Sequence, residues 1–294
     1  MILGGIEMGG TKMVCATGNE NGETLDRFVV PTTSPNETFS KLLDYFKDKD
    51  IDCLGIGSFG PIDLDKSSKT YGYITTTPKL GWRNTDVVSY FKPLNVPVGF
   101  DTDVNAACIG EVSHGAGNGL DSVIYGTIGT GIGFGVYLDG YLVHGLMHTE
   151  TGHMLLQKHE SDKDYIGPCP YHTNCFETLA SGPSIEKRWG KKAEYLYDKK
   201  EVWDLEAYYI GQALCNCIMC YSPKRIILGG GVMHNDELLK LVRQETLKNL
   251  NGYIKKDEIL NHIDEYIVTP KLKDDAGIVG CMELGRLALN ELSR

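Results

Sequence analysis

Hydrophobic residues in the first part of the chain form short runs bounded by glycine or polar residues, a pattern typical of buried strands. Apolar spacing over Glu37–Phe46 predicts a helix, which Pro35 and Asn36 start and cap. A helix running towards Glu111 is predicted directly after the last of these strands. The predicted strands are Ile2–Ile6, Met13–Thr17, Leu25–Val30, Cys53–Gly57 and Val98–Asp101.

The second half of the chain repeats this order. A helix near Leu205–Cys220 precedes its last predicted strand, and an amphipathic helix over Ala276–Leu292 is expected to return to the first half. The repeat predicts an internal duplication and, in 294 residues, two α/β domains with a cleft between them. The predicted strands of this half are Val123–Ile128, Gly133–Leu138, Tyr141–Val143 and Arg225–Leu228.

Composition and charge narrow the class of protein. Hydrophobic residues make up 41% and charged residues 23% of the chain, and no apolar run approaches the ~20 residues of a membrane span. A net charge of −10 without a compact basic stripe argues against a nucleic-acid partner. The chain enters a strand pattern at Ile2 without a basic leader, so we expect it in the cytoplasm.

Each half opens with a strand, a glycine-rich turn and another strand, at Glu7–Lys12 and Thr127–Gly133. Glycine-rich turns let backbone N–H groups approach phosphate oxygens, although either turn alone suits a tight hairpin equally well. Two such turns in equivalent places favour phosphate binding. The chain lacks GxxxxGK[ST], and Gly229–Gly231 after the strand at Arg225–Leu228 does not match GxGxxG, so neither a Walker loop nor a Rossmann site is predicted.

The cysteines include one cluster with the spacing of a metal site. Cys169, His172 and Cys175 lie in a polar loop, and His153 upstream completes a Cys₂His₂ set. Four protein ligands predict a structural zinc ion that holds this loop, in preference to cysteines buried for packing alone. The other cysteines fall in apolar helix or strand patterns, and single histidines near loops are expected to be structural: Cys15, Cys53, Cys108, Cys215, Cys217, Cys220, Cys281, His114, His144 and His148.

Taken together, these motifs resemble the ROK family of bacterial sugar kinases over essentially the whole chain, and within it the fructokinases. The resemblance implies the duplicated actin-like ATPase fold, also called ribonuclease H-like. It divides the chain into a smaller domain of residues 1–113 with 277–294 and a larger one of residues 114–276. The matching segments are Gly9–Lys12, Ser58–Asp63, Asp101–Ala107, Gly129–Gly133, Glu150–His153, the cysteine cluster and Gly229–Gly231.

By this resemblance Asp103 is the catalytic base, although on sequence alone an aspartate there would be taken for a helix N-cap. The family usually has Asp where this chain has Glu7, which would order Mg²⁺ through water. The resemblance implies that the sugar contacts Gly60, Pro61, Thr102, Asp103, Glu150, His153 and Glu177. It implies that ATP contacts Gly9, Gly10, Thr11, Lys12, Thr127, Gly129, Thr130, Gly131, Pro223, Gly229, Gly230, Gly231 and Val232.

The predicted function is ATP-dependent phosphorylation of a hexose, with D-fructose preferred. Thr102 replaces an asparagine common in the family's glucokinases, and His172 replaces a cysteine of the commoner metal cluster, as in the fructokinase branch. For Glu177 taken alone, a solvated helix face is an alternative. The competing hypotheses are a mannose, glucose or N-acetylhexosamine kinase, a sugar-responsive repressor and a non-catalytic sugar sensor. The resemblance also implies a homodimer.

Overall fold

The computed structural model describes residues 1–292 of the chain. The first half contains β1 (Leu3–Met8), β2 (Lys12–Gly18), β3 (Thr24–Pro31), α1 (Pro35–Phe46), β4 (Cys53–Ser58), β5 (Tyr73–Ile74), β6 (Thr85–Asp86), β7 (Val98–Thr102) and α2 (Asp103–His114). The remainder contains β8 (Val123–Ile128), β9 (Ile132–Leu138), β10 (Tyr141–Leu142), α3 (Phe176–Ala180), α4 (Gly182–Trp189), α5 (Lys200–Tyr221), β11 (Arg225–Gly229), α6 (Asp236–Leu250), α7 (Asp257–Leu260), α8 (Ile263–Tyr266), β12 (Ile267–Val268) and α9 (Ala276–Leu292).

The two halves build the same kind of five-stranded sheet, which confirms the predicted duplication. Strand order is β3-β2-β1-β4-β7 in the first sheet and β10-β9-β8-β11-β12 in the second. In each sheet the first three strands are antiparallel hairpins, and the last two run parallel to the central strand. Because parallel strands need crossover connections, α1 and α5 return the chain between them.

Strand register brings the ends of the parallel strands to one edge of each sheet. Met8 of β1 pairs with Ser58 of β4, and Ser58 pairs with Thr102 of β7. The residues that follow these strands, including Asp103, therefore lie at the same edge of the first sheet, where sites of α/β proteins gather. In the second sheet Gly229 pairs with Thr127 at the corresponding edge.

Helices α2 and α9 lie side by side between the two sheets. Helix α9 packs against β1, β4 and β7, as predicted, while α2 contacts both α9 and strands β8 and β9. Their buried residues form an apolar core separate from the core of each half. The backbones approach closely where Gly280 of α9 meets Ala106 of α2. The approach is so close that a Cβ atom on Gly280 would overlap the Ala106 carbonyl oxygen.

One local prediction needs correction, and one alternative for Asp103 is excluded. The N-cap of α1 is Ser34, with Pro35 in the first turn, so Asn36 does not cap this helix. The N-cap of α2 is Thr102, whose hydroxyl accepts a hydrogen bond from the Asn105 N–H at 3.1 Å. Asp103 therefore lies within the first turn and is free of the capping role. Among residues 1–292, no helix has the length and apolar character needed to span a membrane.

Replacing Gly280 by alanine should destabilise the contact between α2 and α9. The added methyl group meets the backbone of α2 at Ala106 and Gly110, so overpacking should lower the free energy of unfolding by about 3 kcal/mol. Thermal and urea unfolding would measure the loss. Gly81 has open space around its Cβ position, so Gly81→Ala should change stability by less than about 1 kcal/mol. Equal stability of the two variants would contradict the backbone contact.

Candidate active site

Asp103 lies where two cavities of the protein meet. It begins α2 directly after β7, and its Oδ1 accepts a hydrogen bond from the Val104 N–H at 2.9 Å. One cavity has a volume of about 490 Å³ and the other about 530 Å³. Asp103, Val104 and Thr127 line both. A group bound in either cavity would therefore lie beside the Asp103 carboxyl group.

The first cavity, which we call the glycine cavity, lies against the carboxyl ends of β8 and β11. Gly230 forms part of its wall with φ +92°, a conformation that favours glycine. A Cβ atom there would also overlap the Ile128 backbone. Its remaining walls come from β1, α2, β8, β11, the segment after β11 and residues 269–277. The residues are Glu7, Ala107, Tyr125, Leu228, Gly229, Met233, His234, Thr269, Pro270, Lys273, Asp274, Ala276 and Gly277.

The second cavity, which we call the acidic cavity, contains the side chains of Glu150 and Glu177. All residues predicted to contact a sugar line it: Gly60, Pro61, Thr102, Asp103, Glu150, His153 and Glu177. So do Thr127, Gly129, Thr130 and Gly131 of the second glycine turn. The structure thus brings a predicted phosphate turn and a predicted sugar pocket into one space.

Burial controls the charge of the carboxyl groups here. It is the main reason that the pKa of Asp103 is raised to about 7; the Val104 N–H opposes the shift, and the charges of Glu7 and Glu150 add to it. Burial also raises the pKa of Glu7, against the opposing charges of Arg27 and Lys12. Asp103 therefore holds or releases a proton near neutral pH, as a general base requires.

Glu150 and Glu177 are held by different contacts. The Glu177 Oε2 accepts a hydrogen bond from the Ile132 N–H at 2.9 Å, so the carboxylate is fixed to the end of the second glycine turn. It faces this turn and the cavity, rather than lying on a solvated helix face. Burial raises the pKa of Glu150. The charge of Glu177 adds to this increase, whereas the charges of His148 and His153 oppose it.

The predicted metal cluster assembles beside this cavity. The ligand atoms of His153, Cys169, His172 and Cys175 all lie within 4.8 Å of one another. The Cys169 Sγ is 4.0 Å from the His153 Nδ1 and 3.7 Å from the His172 Nδ1. Burial raises the pKa of the Cys175 thiol to about 12, and the nearby Cys169 adds to the shift. A bound cation would reverse this, because it favours the thiolates.

Both acidic side chains are attached to this cluster through short segments. The His153 N–H bonds to the Glu150 carbonyl at 2.9 Å within a 3-10 turn, Thr151–His153. Cys175 is the N-cap of α3, which carries Glu177. A cation bound by the cluster would therefore fix the backbone beneath both carboxylates.

The first glycine turn lies outside both cavities, next to Lys79, which follows the acidic-cavity residue Pro78. Gly9 and Lys12 close it through a backbone hydrogen bond of 3.1 Å, and Gly10, Thr11 and Lys12 are exposed. None of these four residues lines either cavity. The Lys79 ammonium group donates a hydrogen bond to the Gly10 carbonyl oxygen and adds a positive charge beside this turn.

Three further predicted nucleotide contacts do not line the glycine cavity, and one segment of the cavity wall was not predicted. Pro223 precedes the opposite end of β11, where its carbonyl accepts a hydrogen bond from the Tyr266 hydroxyl at 2.9 Å. Val232 is buried in the apolar core of the second half, and Gly231 does not line the glycine cavity. The missed segment comprises residues 269–277, and its Thr269-Pro270 pair after β12 is a turn signal that would have marked it.

The remaining cysteines and histidines occupy mainly structural positions. Cys15, Cys53, Cys108, Cys217 and Cys281 are buried, as expected, whereas Cys215 is half-buried and Cys220 is exposed. The His114 Nε2 lies 2.8 Å from the Glu283 Oε1, and the His144 Nε2 lies 2.8 Å from the Asp101 Oδ2. His148 is buried at the wall of the acidic cavity.

Comparison with known proteins identifies the family of this chain and a solved structure with a similar fold. The model of the ROK family matches residues 3–287. A protein of Bacillus subtilis (strain 168) is 51% identical over 98% of this chain and 96% of its own length. The fructokinase of Streptococcus mutans is 43% identical over 98% of this chain and 97% of its own. The crystal structure of a ROK hexokinase from Thermus thermophilus superposes with a TM-score of 0.82 at 23% identity, over 99% of this chain and 100% of that one.

Replacing Asp103 by asparagine should stabilise the protein above neutral pH. Because the folded pKa is raised from 3.8 to about 7, protonation of Asp103 contributes stability at low pH, and this contribution is lost as the pH rises through 7. The neutral amide avoids that loss, so Asp103→Asn should unfold roughly 3 °C or more above wild type at pH 8. The difference should shrink towards pH 5.

Thermal unfolding between pH 5 and 8 would measure this effect, with Asp121→Asn as the control. The exposed Asp121 has its pKa lowered by its hydrogen bond to Lys224, so its replacement should not raise the unfolding temperature at pH 8. A lower unfolding temperature for Asp103→Asn than for wild type at pH 8 would contradict the unfavourable burial of the carboxylate.

Proposed function

The chain belongs to the ROK family, and we propose that it is a sugar kinase that transfers the γ-phosphate of ATP to D-fructose, giving fructose 6-phosphate. The observation that carries this proposal is the position of Asp103, which lines both cavities. A phosphoryl transfer needs the acceptor hydroxyl and the γ-phosphorus side by side, with a base at the hydroxyl. The fructokinase of Streptococcus mutans, aligned over nearly the whole chain, supports fructose as the acceptor.

The sugar is proposed to occupy the acidic cavity. Glu150 and Glu177 accept hydrogen bonds from its hydroxyl groups, since a carboxylate can accept two from vicinal hydroxyls. The backbone of Gly60 and Pro61 supplies the opposite wall, and the His153 ring and Thr102 complete the pocket. The reactive hydroxyl then points to Asp103, between the two carboxylates and the second glycine turn.

ATP is proposed to bind with its adenosine in the glycine cavity and its phosphates along the glycine turns. Gly229, Gly230 and the segment at Thr269 and Pro270 form the wall for the nucleoside. Backbone N–H groups of Thr130 and Gly131 are proposed to face the phosphates at the junction with the acidic cavity, while the Gly129 N–H donates to the Gly131 carbonyl oxygen at 2.9 Å. The exposed turn of residues 9–12 is proposed to close over the phosphates. Glu7, at the wall beside Asp103, would hold magnesium through water.

The reaction follows from these placements. The Asp103 carboxylate takes the proton of the sugar hydroxyl as its oxygen forms a bond to the γ-phosphorus. The bond between that phosphorus and the β–γ bridging oxygen breaks, and ADP leaves with the electron pair. The base contributes about 10²–10⁴-fold to the rate, and positioning with charge neutralisation contributes most of the remainder.

A structural zinc ion is proposed for the Cys₂His₂ cluster. Typical zinc bond lengths place sulfur and nitrogen ligands about 3.5 Å apart around a tetrahedral ion. The sulfur-to-nitrogen distances of 3.7 and 4.0 Å at Cys169 fit that arrangement. With all four ligands from the protein, the ion has no open position for water and serves to hold Glu150 and Glu177 in place.

The division into a domain of residues 1–113 with 277–294 and one of residues 114–276 remains a proposal, of which residues 293 and 294 lie outside the described part. It is supported by the packing of α9 on the first sheet. The cytoplasm, where ATP is supplied, is the proposed compartment. A homodimer is proposed from the family resemblance alone.

ATP-dependent phosphorylation of fructose, mannose, glucose and N-acetylmannosamine tests the function and the base together. We expect fructose to give the highest kcat/KM, and Asp103→Asn to lower kcat at least ~100-fold with fructose. The wild-type kcat/KM should rise as the pH passes about 7 and level off above it, because the base must be ionised. Asp121→Asn is remote and should keep wild-type activity. Activity on none of the sugars, or full activity of Asp103→Asn, would contradict the proposal.

Metal analysis tests the zinc site. Purified wild type should contain about one zinc ion per chain, and Cys175→Ser should lose it because three ligands remain. Chelation should lower the unfolding temperature and raise the KM for fructose more than the KM for ATP. Cys220→Ser, at an exposed cysteine outside the cluster, should keep its zinc. A full zinc content in Cys175→Ser would contradict the assigned ligands.

A further inference from the structure

Two histidines connect the loop after β10, in the second half of the chain, to residues of the first half. The His144 Nε2 lies 2.8 Å from the Oδ2 of Asp101, at the end of β7. The His148 Nε2 accepts a hydrogen bond from the Ile62 N–H at 3.1 Å. Of the two histidines, His148 lines the acidic cavity and lies beside the predicted sugar ligand Glu150.

We propose that His148 is a positioning residue that holds the Glu150 carboxylate in its sugar-binding orientation and ties it to the opposite wall at Gly60–Ile62. This inference rests on the proposed function. The His148 side chain is 2% exposed and forms part of the cavity wall, so we assign it a role through Glu150 and not as a catalytic residue. Its Nδ1 lies 3.4 Å from the Glu150 Oε1 and 3.3 Å from the Thr149 carbonyl oxygen.

The hydrogen bond from Ile62 determines which tautomer His148 adopts. A backbone N–H can only donate, so the Nε2 that receives it must carry a lone pair. In the neutral imidazole the proton therefore sits on Nδ1, on the side of Thr149 and Glu150. The first half of the chain thereby directs an N–H donor at a carboxylate of the second half.

This arrangement favours sugar binding in a specific way. The Glu150 side chain is 43% exposed, and a free glutamate would occupy several rotamers that binding must restrict. The His148 Nδ1–H bonds to the Thr149 carbonyl oxygen and keeps its positive end 3.4 Å from the Glu150 Oε1. A carboxylate that this attraction already restricts loses less freedom when the sugar binds. The same ring lies against Gly60, where a Cβ atom would be 3.4 Å from the His148 Nε2 and Cε1. His148 therefore relates the two walls of the sugar cavity to each other.

Two amide variants separate the two nitrogens. In His148→Gln the amide reaches the position of Nε2, so it can still accept from Ile62 but no longer donates towards Glu150. In His148→Asn the amide lies at the position of Nδ1 and keeps the donor, while the Ile62 N–H loses its partner. We expect His148→Gln to raise the KM for fructose roughly tenfold, with kcat and the KM for ATP within about twofold.

The variant with the larger expected change in KM, His148→Gln, is expected to have the smaller loss of stability. His148→Asn leaves a buried N–H unpaired, so it should have the lower unfolding temperature of the two, yet a KM for fructose closer to wild type. A purely structural histidine would instead give KM changes that follow the loss of stability. His262→Gln, at an exposed ion pair with Asp257, is the matched control and should leave every constant unchanged.

A double-mutant cycle with Glu150→Gln tests the coupling directly. If His148 acts through Glu150, adding His148→Gln to Glu150→Gln should change the KM for fructose by less than about twofold. Calorimetric titration with fructose should give the same pattern in Kd. Independent, multiplying effects of the two changes, or a wild-type KM for His148→Gln, would overturn the inference while leaving the kinase function intact. A wild type that neither binds nor phosphorylates any sugar of the panel would overturn both.

Discussion

The contact between the backbones of α2 and α9 is the constraint on which the site depends. These helices separate the two sheets, and they can lie so close because Gly280 leaves room for the Ala106 carbonyl and Gly110 leaves room for the Ala276 carbonyl. A wider separation would move the first turn of α2 relative to both sheets. Asp103 is in that turn, so the position of one carboxyl group follows from a packing contact a full turn away.

Around that fixed point the two halves contribute different chemistry. The first half supplies the buried carboxyl group and the backbone at Gly60, while the second supplies the glycine turn at Gly129–Gly131 and the acidic groups near the metal cluster. Burial makes Asp103 a stronger base than an exposed aspartate, at a cost in stability. In the second half the Ile132 N–H fixes the Glu177 carboxylate, and the proposed zinc ion and His148 would hold the segment that carries Glu150.

Much of this arrangement could be predicted from the sequence, because buried strands and metal ligands leave local patterns. The run at Val123–Ile128 coincides with β8, and the Cys₂His₂ set assembles as expected. Pro223 and Val232 do not line the glycine cavity, because Pro223 precedes the opposite end of β11 and the Val232 side chain faces the apolar core, and neither fact leaves a local pattern in the sequence. Helix α6, whose N-cap is Asn235, and the wall at Thr269 both carry local signals, but the elements against which they pack are distant in sequence. His148 gave no signal, since its role exists only through the Ile62 N–H.

The matching strand orders relate positions that the sequence keeps far apart. β7 and β12 are the last strands of their sheets, each parallel to its neighbour, so the residues that follow them are structural counterparts. After β7 comes Asp103, and after β12 come Thr269 and Pro270, all at the wall of the glycine cavity. The internal pseudo-symmetry therefore supplies two equivalent corners, one occupied by an ionisable group and the other by a rigid, uncharged pair. The two corners therefore differ in what they contact, because Asp103 lines both cavities whereas Thr269 and Pro270 line the glycine cavity alone.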